Sequence, residues 1–276
     1  VGQGEIFGFL GHNGAGKTTT MKMLMGLLRP TRGRIELLGT SADNVAVHAR
    51  IGYLPEAPYF YDYLTAEEFL RFYGRLARLP RETVQQRVPQ LLERVGLTDA
   101  RDRQLRKFSK GMLQRIGLAQ ALIHDPELII LDEPMSGLDP IGRKEVRDLI
   151  LSLRDQGKTV FFSTHIVSDV EMICDRVGIL AKGRMLTSGR IEDLVNEHVA
   201  QSVEVVCDGV VGDMLSAVKL KAIRILQRGD RCLMILPGQD HLEDILATLR
   251  HAGGKLVSVI PHKGSLEEIF LEQTNR

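Results

Sequence analysis

Gly11-His12-Asn13-Gly14-Ala15-Gly16-Lys17-Thr18 sets three glycines, an ammonium and a hydroxyl within eight residues. That is the pattern of a loop whose backbone N–H groups wrap phosphates, with the positive end of the following helix favouring negative charge. In it Lys17 is placed to reach the β- and γ-phosphates of a nucleotide, and Thr18 to offer its hydroxyl to Mg²⁺. Asn13, Gly14, Ala15, Gly16 and Thr19 complete the candidate phosphate contacts. Far downstream, Leu128-Ile129-Ile130-Leu131-Asp132-Glu133 is an apolar run that ends in two adjacent carboxylates. Successive side chains of a strand alternate, so the two point differently and can do different work. Asp132 is expected to hold Mg²⁺ through its water shell, and Glu133 to orient and deprotonate an attacking water.

Those residues need a frame. Glu5 to Leu10 reads as a buried strand, and the glycine loop opens into a helix-favouring run, Lys17 to Leu28. From Leu64 to Ile123 the pattern turns helical, with Val84, Val88, Leu91, Leu92 and Val95 recurring on one face. Short β-type runs return at 128–131, 159–163 and 177–180, separated by helix-compatible stretches such as 142–154. Strands alternating with helices imply a mostly parallel sheet. A polar stretch at 197–201 marks a boundary. Beyond it the order is strand 202–207, helix 211–219, strand 222–227, strand 231–236, helix 240–251 and strand 255–260. That βαββαβ order suits a small ferredoxin-like sandwich. The fold class is therefore α/β: a P-loop domain over 1–197 with a helical subdomain at about 58–123, then a small α+β domain over 198–276.

Composition excludes several classes. The chain has 36 basic and 35 acidic residues and a formal charge of +1, so no global field draws it to nucleic acid or an anionic membrane. No stretch approaches the length of a spanning helix and no signal segment opens the chain. Cys174, Cys207 and Cys232 lack the spacings of a zinc or redox motif and are expected to be reduced thiols of a cytosolic protein. The chain opens at Val1 rather than Met, and the expectation is that an N-terminal segment has been lost.

A phosphate loop and strand carboxylates fit a GTPase, a kinase or a recombinase as well. Three further segments separate these. Phe108-Ser109-Lys110-Gly111-Met112-Leu113-Gln114-Arg115 resembles the signature segment of ABC ATPases, Ser136-Gly137-Leu138-Asp139 their D-loop, and Ser163-Thr164-His165 their switch histidine. From Val1 to about Asn196 the order and spacing agree with that family, and nothing resembles the guanine-reading Asn-Lys-x-Asp of GTPases. The resemblance implies an ATP-hydrolysing subunit working as a homodimer, or a heterodimer with a second cassette, beneath an integral membrane permease. Each ATP then lies between one P-loop and the facing signature. Ser109 and Gly111 serve a partner's γ-phosphate, Asp139 touches the facing cassette, and His165 holds the γ-phosphate and lytic water against Glu133. It also implies a cytoplasmic location, peripheral on the inner face of the membrane, and no nucleic-acid partner.

The sequence departs from the family pattern at three places. Lys110 and Met112 stand where Gly and Gln are usual, and Tyr53-Leu54-Pro55-Glu56 has Glu where the Q-loop has Gln. All three resemble the daunorubicin-resistance-type exporter ATPases. Glu56 still suits Mg²⁺ or a water but brings a full charge. The closing run Gly264 to Leu271 resembles the end of an added C-terminal domain in that same branch, where it assists dimerisation or regulation. The residue that stacks on adenine usually lies well upstream of the P-loop, and only ten residues precede Gly11 here. All five tyrosines fall between Tyr53 and Tyr73, joined by Phe60, Phe69 and Phe72. They serve either as a permease interface or as filling for the helical insert. DNA-repair ABC ATPases carry long coiled coils between P-loop and signature, and translation factors carry two cassettes. Here about ninety residues separate those motifs, without sustained heptads, and there is a single set.

Overall fold

Ile6–Leu10, with the sequence IFGFL, is buried at every position and forms β1, the strand that delivers the chain to the glycine loop. The computed structural model describes residues 1–198, 202–209, 224–237, 242–251, 254–262 and 265–274. They fall into two compact units, Val1–Ile191 and Glu192–Arg276. In the first, β1 joins β4 (Ile51–Leu54), β5 (Leu128–Asp132), β6 (Thr159–Thr164), β7 (Arg176–Ala181) and β8 (Arg184–Arg190) in one sheet of order β4-β5-β6-β1-β7-β8. Neighbours are parallel throughout except β7 and β8. A separate two-stranded hairpin pairs β2 (Glu36–Leu37) with β3 (Thr40–Ser41).

The central strands are apolar on both faces because both are covered. Leu128 and Ile130 pack with Met21 of α1 (Lys17–Leu24), and with Val47 of α2 (Val45–His48). Ile129 and Leu131 instead join the large core with Ile116 of α5 (Lys110–Leu122) and Val146 and Ile150 of α6 (Pro140–Asp155). That core continues into α3 (Ala66–Leu76) and α4 (Arg81–Arg94), where Val84, Val88, Leu91 and Leu92 are buried as their spacing predicts. A reciprocal capping box fixes the start of α3, with Thr65 Oγ1 accepting from the Glu68 amide and the Glu68 carboxylate accepting from the Thr65 amide.

The helix expected over 17–28 stops at Leu24. Gly26 takes a left-handed φ of +67°, and the Leu27 amide turns back to the Lys22 carbonyl, which closes the helix end. The antiparallel edge strand β8 has the polar sequence RMLTSGR, which carries no apolar alternation to mark it as a strand. Lys182 and Gly183, at φ +48° and +75°, make the two-residue turn that folds it back on β7. Both central residues are left-handed, as a type I′ hairpin requires. Two further helices follow β6 and β8: α7 (Val167–Ile173) and α8 (Ile191–His198).

The second unit holds β9 (Ser202–Asp208), β10 (Arg224–Arg228), β11 (Arg231–Pro237) and β12 (Lys255–His262) in an antiparallel sheet of order β10-β11-β9-β12. The first strand lies inside, between the third and the fourth, as in a split βαβ sandwich. Val203, Val205, Cys207, Cys232, Met234 and Leu236 form its buried face with Ile245 of α9 (Leu242–His251). The helix expected over 211–219 lies outside the described residues. The chain closes on α10 (Leu266–Thr274), started by Ser265, whose hydroxyl accepts from the Glu268 amide at 3.2 Å. None of the three cysteines is in a disulfide.

Candidate functional site

Four parallel strands end at one edge of the first sheet, and each hands its next residues to the same place, as open α/β sheets do. β1 leads into the glycine loop, β4 into Pro55 and Glu56, β5 ends on Asp132 and β6 leads to His165. Asn13, Gly14, Gly16, Lys17, Thr18, Thr19, Glu56 and Glu133 line a cleft there of about 220 Å³. A larger hollow of about 390 Å³ lies among α4, α5 and α6. Within its wall Arg115 pairs with Glu145 and Arg94 donates to Ser152, whereas the smaller cleft gathers the glycine loop, Lys17 and Glu133 and is the better candidate.

The loop's shape follows from its glycines. Gly14 and Gly16 take φ of +80° and +108°, which side-chain-bearing residues rarely adopt. A Cβ on Gly11 would lie 2.6 Å from the Leu180 carbonyl oxygen. The β7–β8 turn props the loop from beneath, with the Gly183 amide donating to the Ala15 carbonyl at 2.9 Å. Ala15 itself is buried against Phe7, Phe9 and Leu180 rather than in the cleft wall. No side chain caps the N-terminus of α1, so its first amides and its positive pole face the cleft, an arrangement suited to anions.

Lys17 is buried, and its Nζ donates to the carbonyls of Gly11 at 2.7 Å and His12 at 3.2 Å. It also lies 3.2 Å from Glu133 Oε1. His165 Nδ1 sits 3.0 Å from the other Glu133 oxygen. Glu133 thus stands between a fixed cation and an imidazole, while Thr18 donates to Glu56 Oε2 across the cleft mouth at 3.4 Å.

The two carboxylates diverge for a reason that strand alternation does not supply. β5 ends at Asp132, and Glu133 turns out of the strand with a left-handed φ of +51°. Such a backbone in a residue with a side chain costs about 1–3 kcal/mol and persists only where neighbours enforce it. Ser163 is the enforcer, a role its place in the switch segment does not announce. Its hydroxyl donates to Asp132 Oδ1 at 2.6 Å and accepts from the Glu133 amide at 3.0 Å, fully buried. The register that places Ser163 opposite Asp132 is the signal that finds it. Ser163→Ala leaves the Glu133 amide without its acceptor and should destabilise the fold by about 1–3 kcal/mol, measured by urea unfolding. An unaltered midpoint would show that the bridge contributes nothing.

Asp132 is fully buried just before Glu133 in sequence and is not itself part of the cleft wall, and its Oδ2 has no hydrogen-bond partner, an orphaned acceptor that a cation would satisfy. Among the described residues no group of three or more His, Cys, Asp or Glu is arranged to hold a metal. Tyr53 lies close by. Burial, and after it the charge of Asp132, push its phenol up to about 12.

Ser109, Gly111 and Asp139 lie outside the cleft wall. Ser109 caps α5 by accepting from the Met112 amide at 3.2 Å, and Asp139 caps α6 by accepting from the Gly142 amide at 2.7 Å. The two segments meet each other, since a Cβ on Gly111 would lie 3.8 Å from Leu138.

The aromatic group divides into buried and exposed members. Phe69 is buried with Phe60 and Tyr73 against it, whereas Tyr59 is 84% exposed and Tyr63 61%. Tyr59, Tyr61, Tyr63 and Phe72 form edge-to-face contacts at centroid distances of 5.3–6.2 Å. Phe60 rests on α5 at Gly117, where a Cβ would come within 3.6 Å of its ring.

The sequence family described as ABC transporter matches residues 1–136. An uncharacterized ABC transporter ATP-binding protein of Nostoc sp. is 46% identical over 278 residues, spanning 100% of this chain and 81% of its own. The daunorubicin resistance ATP-binding protein DrrA3 of Streptomyces coeruleorubidus is 35% identical, with 99% of this chain and 88% of that protein covered. Among solved structures, one described as the ATP-binding subunit of an ABC transporter superposes with a TM-score of 0.65 at 34% identity, over 71% of this chain and 82% of the other.

Proposed function

Because the chain belongs to the ATP-binding subunits of ABC transporters, which are ATPases, we propose that two copies close on MgATP, the P-loop of one facing the signature of the other. The single observation that carries this reading is the separation of two complementary half-sites. A phosphate cradle with its carboxylates lies in one place, and an exposed Ser109-capped helix end, useless to its own cleft, lies in another.

Lys17 and the loop amides bind the terminal phosphates, and Asn13, Gly14, Gly16 and Thr19 complete the cradle, with Ala15 packed beneath it. Thr18, Asp132 and Glu56 hold Mg²⁺, which, when bound, offsets phosphate charge. Incoming phosphates compete with Glu133 for Lys17 and so release a carboxylate that accepts the proton of the attacking water. His165, already 3.0 Å from Glu133, keeps that carboxylate oriented and reaches toward the γ-phosphate. Ser109 and Gly111 add donors present for a partner's ATP and without a partner once only ADP remains. The dimer tightens with ATP and loosens after hydrolysis. Sedimentation of the Glu133→Gln protein should show dimers with MgATP and monomers without. A monomer at saturating MgATP would overturn the reading.

Transport requires a membrane partner. Among the described residues no helix is long and apolar enough to cross a bilayer. We propose a separate permease, with this chain on the cytoplasmic face of the membrane and export as the direction. Likeness to the daunorubicin resistance protein supports that direction. The 198–276 segment acts as an accessory domain assisting dimerisation. Tyr59, Tyr61, Tyr63 and Phe72 are the permease contact, an exposed aromatic patch of the kind that partners cover. Tyr59→Ala should abolish permease stimulation of hydrolysis while leaving basal nucleotide binding intact. Stimulation at the native level would remove the patch from the interface.

A further inference from the structure

Lys110 opens α5 between Ser109 and Gly111, is exposed, and has no acidic residue in its helical turn. Its side chain nevertheless has a definite seat. It crosses the backbone of Gly137, where an added Cβ would fall on the ammonium and lie 2.9 Å from Cε and 3.4 Å from Cδ. Gly137 is left-handed at φ +69° and belongs to the turn that starts at Glu133, whose carbonyl accepts from the Ser136 amide at 3.1 Å. Leu138 lies over Gly111 from the end of that turn, and Leu138, Met112 and Leu113 all pack against the same core. A glycine at position 110 would leave the Gly137 contact unmade.

We infer that Lys110 is a positioning residue, a clasp whose aliphatic stem locks the helix end bearing Ser109 to the turn that carries Glu133. The inference rests on the proposed dimer. There, Ser109 of one copy meets the nucleotide held by the other, while Glu133 serves the nucleotide of its own copy. A stem that fixes one to the other makes each site sense occupancy of its neighbour. Cδ and Cε also stand over Gly137, so an unbranched side chain of similar reach is expected to keep the clasp without the charge.

Three proteins test this in ATP hydrolysis: the native chain, Lys110→Gly and Lys110→Met. Lys110→Gly should lose the cooperative dependence on ATP, its Hill coefficient falling to one. Its kcat should drop by about fivefold, about 1 kcal/mol in the barrier. Lys110→Met, which restores an unbranched stem without charge, should recover both. In the Glu133→Gln background the MgATP midpoint for dimer formation should shift by less than about twofold, since the contacts at Ser109 survive. Native cooperativity in Lys110→Gly would overturn the clasp, and so would a Lys110→Met protein as impaired as Lys110→Gly. If the Glu133→Gln protein forms no dimer at all, the proposed function fails first.

Discussion

Replacing Glu133 with glutamine should lower ATP turnover by about 10²-fold or more, the usual cost of losing a general base. The exchange keeps the shape of the side chain and one acceptor for His165, so the loss falls on proton transfer. The backbone at 133 is held by Ser163 and by the turn to Ser136, neither of which depends on the carboxylate. Lys17 loses its ionic partner but retains the carbonyls of Gly11 and His12, so the fold should survive. Removing a negative charge beside the terminal phosphate should strengthen ATP binding and make the closed dimer long-lived. Single-turnover hydrolysis with sedimentation on the same protein measures both. Near-native turnover would strip Glu133 of its role.

Lys17→Ala should be the more damaging substitution to binding. A charge-assisted hydrogen bond contributes about 1.5–3 kcal/mol, so losing the ammonium should weaken ATP binding by roughly 10- to 100-fold. The same change leaves Glu133, itself buried, without its cation. Breaking a buried pair from one side typically costs about 3–5 kcal/mol. Equilibrium nucleotide titration should therefore show weak binding, and urea unfolding a lower midpoint than in Glu133→Gln. Binding within threefold of native would show that the loop amides carry the phosphates alone.

Much of this cleft was legible in the residues because its chemistry is local. The glycines, Lys17 and Thr18 are contiguous, and an apolar run ending in acids announces β5. The proposed half-site contacts at Ser109 and Asp139 were legible only through resemblance, since within one chain each simply caps a helix. Ser163 was named in the switch segment but its bridge was not. Its importance arises from register between β5 and β6, a long-range property that no local pattern encodes. The short strand β4 and the two-residue strands β2 and β3 offer too few positions for periodicity to register. β8 is polar and mostly exposed because it edges the sheet, so its signal lay in the Lys182-Gly183 turn. The aromatic cluster could not be divided from sequence either, because burial of Phe69 and exposure of Tyr59 depend on which side of α3 and its preceding loop the core lies.

The crowding of every tyrosine into 53–73, in a chain with no tryptophan, makes that region the sole source of the molecule's near-ultraviolet emission. The stretch from β4 into α3 therefore carries a built-in optical label. Changes in quantum yield or anisotropy when nucleotide or permease arrives would report on that stretch directly, free of tyrosine background from the rest of the polypeptide and without any attached dye.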